Sequence, residues 1–143
     1  MSPIANYSTT VSAMKSVGEI QGILVAHGAT AIMTNFENGE AQGLSFIFPT
    51  QFGDIPFRLP ANIAKVELVL NKQRVRTTVT REMASRVAWR ILKDWVRAQV
   101  AILETEMVTI DQVFLPYMDV GGGKTLYQRM IDNKLALPEG RGS

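Results

Sequence analysis

From Val11 to His27 apolar residues recur every three to four positions (Val11, Met14, Val17, Ile20, Ile23, Leu24), with Gly28 placed as a left-handed stop. That pattern predicts a first helix. The period then shortens to two. Ala31 to Phe36 leads into Glu37-Asn38-Gly39-Glu40, and Asn-Gly is a strong hairpin signal because both residues tolerate positive φ. Beyond it Leu44, Phe46 and Phe48 alternate with Ser45 and Ile47. After a turn at Gln51-Phe52-Gly53, Ile55, Phe57 and Leu59 alternate with Pro56 and Arg58. Pro56 cannot donate to a ladder, so this third strand belongs at an edge or against solvent. A short helix follows Pro60, from Ala61 to about Asn71, because Ile63, Val66 and Leu70 share one face. The segment 72–79 reads as a basic connector. Val108 to Tyr117 reads as a short helix or turn, Gly121-Gly122-Gly123 as a break, and 124–133 as a last helix.

The longest element is a helix predicted from Arg81 to roughly Met107, capped by Thr80, with Glu82 in its first turn. With Arg86 at zero, Arg90 lies at about 40°, Lys93 at about 340° and Arg97 at about 20°, so four cations form one stripe. Ala84, Ala88, Ile91, Leu92, Trp95, Ala98, Ile102 and Leu103 gather around about 180° and are expected to face the core. Trp89, at about 300°, lies beside the stripe, placed either to stack a base or an arginine or to pack on a neighbouring element. The expected architecture is α+β: an N-terminal helix, a three-stranded antiparallel sheet, then a long amphipathic helix and short C-terminal helices. It forms one domain over residues 9–137, with frayed ends at 1–8 and 138–143.

Charge changes this picture more than composition does. The chain of 143 residues is 46% hydrophobic and 20% charged, ordinary for one globular domain. Its net charge is only +2, yet residues 58–97 carry ten cations against three acids, +7, while 1–57 and 98–143 carry −3 and −2. A solvated helix face mixes signs at i,i+4; Arg86/Arg90 and Lys93/Arg97 are like pairs, which cost roughly 0.2–0.5 kcal/mol each. Such a face is an ordinary solvated surface, a match for acidic parts of this chain or a neighbouring subunit, or the footprint of an external polyanion. Arginine predominates, and its planar fork suits bidentate phosphate contacts.

Other chemistry finds little support. With no cysteine and one histidine, a thiol nucleophile or a cysteine or polyhistidine metal site is not expected, and no cofactor is implied. Asp119-Val120-Gly121-Gly122-Gly123-Lys124-Thr125 ends like a phosphate-binding loop, but Met118 stands where the pattern needs glycine and no buried strand precedes it. It reads as a turn before the last helix, with Gly122, Gly123 and Lys124 as a secondary anion site. His27 reads as a helix C-terminal residue favouring the dipole. No apolar run approaches the ~18–20 residues of a membrane span, and Met1 to Asn6 do not resemble a signal peptide, so a cytoplasmic setting is expected.

The chain resembles a family of small phage and prophage proteins that brings no activity to carry over. The resemblance rests on His27-Gly28-Ala29-Thr30, Phe57-Arg58-Leu59-Pro60, Arg86-Val87-Ala88-Trp89-Arg90 with Lys93-Asp94-Trp95, and Val113-Phe114-Leu115-Pro116-Tyr117 with Thr125-Leu126-Tyr127. It covers about residues 15 to 130 and implies a viral or mobile-element origin in a bacterial or archaeal host. The order of helix, three strands and helix is similar to that of double-stranded-RNA-binding domains and the core of single-strand annealing proteins, a likeness of fold alone.

These readings converge on a non-enzymatic, homo-oligomeric protein that binds single-stranded nucleic acid with weak sequence preference. Arg74, Arg76, Arg86, Arg90, Lys93 and Arg97 supply phosphate contacts, with Trp89 as a stacking platform. A homo-oligomer gripping a nucleotide signal or a host defence partner is the alternative, and a phage structural or accessory protein the third.

Overall fold

The first helix, α1 (Ala13–Ala26), starts where the Ser12 side chain accepts from the Lys15 amide at 3.1 Å and stops at Gly28, whose φ is 111°. Serine is a favoured N-cap, and the stop matches the glycine signal in the sequence. The computed structural model describes residues 11–73 and 78–133; the expected frayed ends at 1–8 and 138–143, and the cations Arg74 and Arg76, lie outside them.

Three antiparallel strands follow, β1 (Ala31–Glu37), β2 (Glu40–Thr50) and β3 (Gly53–Pro60), in the order β1-β2-β3. Asn38 and Gly39 take φ of 52° and 78° at the first turn, as the hairpin signal requires. Pro56 lies in an edge strand, where its missing N–H costs least. The register pairs Leu44 with Leu59, Phe46 with Phe57 and Phe48 with Ile55, which places these side chains on one face. The other face carries Met33, Ser45, Ile47, Pro56 and Arg58.

Helix α2 (Ile63–Gln73) begins two residues later than expected, because Asn62 Oδ1 accepts from the Lys65 amide at 3.1 Å and acts as the cap. Its Asn71 side chain grips the next segment, Oδ1 accepting from the Val79 amide at 2.7 Å and Nδ2 donating to the Val79 carbonyl at 3.3 Å. Thr80 then caps α3 (Arg81–Leu103), which packs against both α1 and α2. Helix α3 ends before the expected Met107. Thr105 Oγ1 donates back to the Ile102 carbonyl at 2.6 Å, and Glu106 turns left-handed with φ 62°. A short α4 (Ile110–Phe114), a 3-10 turn (Leu115–Tyr117), a small hairpin of β4 (Asp119–Gly121) and β5 (Lys124–Thr125), and α5 (Leu126–Asp132) complete the described chain. The sequence pattern does not predict the Asp119–Thr125 hairpin.

The core lies between the inner sheet face and the helices. Gln21 of α1 donates to Thr34 of β1 at 2.8 Å, and Phe114 packs edge-on to Phe46 with ring centroids 5.5 Å apart. Trp95 and Tyr117 continue this aromatic contact toward the surface.

Candidate nucleic-acid interface

Helix α3 presents its residues differently from what its apolar spacing predicts. Trp89 is fully buried, and its indole Nε1 donates to the Ala41 carbonyl at 3.1 Å. A stacking platform is therefore corrected to a core residue. The expected inward face holds in part: Ala84 and Ala88 are buried and Ile91, Leu92, Trp95 and Leu103 are partly buried against the core, but Ala98 and Ile102 are exposed, and Ser85, Val87, Trp89, Val96 and Val100 are buried as well. The buried residues of α3 thus average to about 270° rather than about 180°. Two flanking helices and a sheet share the task of covering α3, so its buried arc follows its neighbours and not the arc richest in apolar residues.

That rotation removes one cation from the stripe. The Lys93 side chain is 5% exposed, with Nζ 3.8 Å from Glu19 Oε2 of α1 and 3.9 Å from Asp94 Oδ1. Its stem packs in the α1–α3 contact while the ammonium meets two carboxylates. It is a structural ion partner and not part of an open phosphate-binding row.

Arg86, Arg90 and Arg97 remain together on one side of α3, over about 16 Å of helix. Arg86 pairs with Glu82, and Arg90 Nε lies 3.8 Å from Asp94 Oδ1, both partners one turn away on the same helix. Arg97 is exposed and makes no ion pair or hydrogen bond among the described residues.

Arg81, counted in the basic block, holds the fold together. Its guanidinium donates to both Glu40 oxygens, NH2 to Oε1 at 2.8 Å and Nε to Oε2 at 3.0 Å, and NH1 reaches Glu67 Oε1 at 3.5 Å. The hairpin, α2 and the start of α3 are thereby joined. Hydrogen bonding from Arg81 holds the Glu40 carboxyl below its ordinary value, outweighing the opposite effect of burial, and the same bond raises the guanidinium's own value. Glu40 and Arg81 are 41 residues apart, and no local signal joins them.

The secondary anion site is also engaged internally. Gly121, Gly122 and Gly123 all have positive φ in an exposed turn, but Asp119 Oδ1 accepts from the Gly121 amide at 2.8 Å, and Lys124 pairs with Asp132. An incoming anion would meet two carboxylates at this turn.

Among the described residues no three His, Cys, Asp or Glu side chains group as metal ligands, and no helix is long and apolar enough to cross a membrane. Fold and surface define a class: an α+β chain with a three-stranded antiparallel sheet backed by helices and an arginine row on its longest helix. No family model, curated protein or solved structure matches the chain.

Proposed function

We propose that the protein binds the phosphate backbone of single-stranded nucleic acid, with weak sequence preference, through Arg86, Arg90 and Arg97. The observation that carries this reading is the row itself: three arginines on one side of a regular helix, the last with no internal partner among the described residues. The acids matched to Arg86 and Arg90 lie one turn away on the same helix. Exposed pairs of that kind are worth about 0.3–0.5 kcal/mol, so a phosphate's charge-assisted bidentate bond can replace them. Arg74 and Arg76 join the reading on sequence grounds alone. With Trp89 in the core, binding rests on charge rather than on base stacking by that ring. Self-association and a cytoplasmic phage or prophage setting belong to the same proposal, supported by the polarised charge and the sequence resemblance.

The test is the salt dependence of binding to a labelled oligothymidylate, read by fluorescence anisotropy. Three single-strand phosphate contacts contribute about −2 to the slope of log affinity against log salt. The triple variant R86Q/R90Q/R97Q is expected to lose that contribution, whereas Lys93→Met keeps the parental slope. A parental slope in the triple variant, or salt-independent binding, overturns the proposal.

A further inference from the structure

A cleft of about 650 Å³ opens at the end of the molecule where α1 and α3 both terminate. Phe48, Leu103 and Ile110 line it with apolar surface, and His27, Glu104 and Asp111 bring polar groups to it. This combination of an apolar lining and few polar groups, at this size, is typical of small-molecule sites.

Three features give the cleft a preference for positive charge. First, His27 and Glu104 are the C-cap residues of α1 and α3, so two helix C-termini, each equivalent to roughly half a negative charge, converge there. Second, Glu104 and Asp111 add two carboxylates, and among the described residues no arginine or lysine lines the cleft. Third, His27 Nδ1 lies 2.8 Å from the Ile23 carbonyl oxygen, a contact that requires the proton on Nδ1. In the neutral ring Nε2 then turns a lone pair toward Glu104 Oε1, 4.0 Å away. Two acceptors at that separation are within simultaneous hydrogen-bond reach of one ammonium nitrogen. The loops bordering the cleft also carry the two most exposed large apolar side chains of the described residues, Phe52 at 74% and Met107 at 69%.

We propose that this cleft binds an organic ammonium ion, a primary amine carried on a compact apolar or aromatic body. The ammonium donates to His27 Nε2 and Glu104, and the body lies against Phe48, Leu103 and Ile110. The site lies beyond the C-terminal end of the arginine row and is independent of nucleic-acid binding.

Calorimetric titration of the full chain with 2-phenylethylammonium, its neutral counterpart 2-phenylethanol and the anion 3-phenylpropanoate tests the proposal. The ammonium is expected to bind with a dissociation constant on the order of 1 mM, as befits so small a probe, and at least about tenfold more tightly than the alcohol. The anion should not bind. Glu104→Gln, at an exposed helix end where folding is insensitive, is expected to weaken the ammonium about tenfold, while Glu37→Gln on β1 leaves it unchanged. Equal binding of ammonium and alcohol, no heat with the ammonium up to about 10 mM, or an unchanged affinity in Glu104→Gln overturns the proposal.

Discussion

Trp89 Nε1 donates to the carbonyl oxygen of Ala41 at 3.1 Å, in a buried contact between residues 48 apart in the chain. The bond ties the middle of α3 to the second strand of the hairpin and gives the indole its only polar requirement a partner inside the core. Trp89→Phe keeps most of the ring and removes the buried bond to the Ala41 carbonyl. It is expected to cost about 1–3 kcal/mol in urea denaturation, and Trp89→Ala about 3–5 kcal/mol. Oligothymidylate affinity of the folded Trp89→Phe protein should equal that of the parent. A large affinity loss at unchanged stability would return the ring to the surface.

Glycines in this chain differ in what a methyl group would meet. A Cβ on Gly43 would stand 2.9 Å from the Leu59 carbonyl oxygen and 3.3 Å from Pro60 Cα, both backbone atoms of the paired strand. Gly43→Ala is expected to destabilise by about 1–3 kcal/mol. Gly18 and Gly22, inside α1, have nothing within 4 Å, and alanine there should stabilise by about 0.5–1 kcal/mol each. The neighbouring Ser16 is fully buried with no partner for its hydroxyl among the described residues, so Ser16→Ala is expected to be neutral or stabilising. Thermal melts of the four single variants check the opposite signs.

The Arg81–Glu40 bond makes stability depend on acid. Because the folded-state value of Glu40 is lowered, its contribution is present above the ordinary glutamate range and is lost as pH falls below that range through the lowered value. Glu40→Gln is therefore expected to be less stable than the parent at about pH 7, with the difference shrinking as the solution is acidified below the ordinary glutamate range. Urea midpoints across that range measure it. A constant difference would mean that the carboxylate's charge has no part in the effect.

Much of the secondary structure was legible because it rests on local signals. Asn38-Gly39 set the hairpin, Pro56 marked an edge strand, and Thr80 capped the long helix where its hydroxyl accepts from the Met83 amide. The end of α3 was not legible. Met107 continues the apolar pattern, but Thr105 and Glu106 break the backbone first. The candidate interface was legible in part. Arg86, Arg90 and Arg97 share a face by helical arithmetic alone, whereas the fates of Lys93 and Trp89 depended on the direction from which α1 and the sheet approach.

Local sequence suffices for the elements, their order and the polarity of charge, since periods of two and 3.6 residues, caps and turn residues act within a few positions. Packing between distant segments sets the rotation of α3 about its axis, and with it the withdrawal of Trp89 and Lys93 from the surface. It also sets the junction of Arg81 with Glu40 and Glu67, and the meeting of His27, Glu104 and Asp111 around one cleft. A helix's apolar pattern limits which arc is buried, but the burial is settled by neighbours distant in sequence. Contacts across 41 or 48 residues leave no local trace.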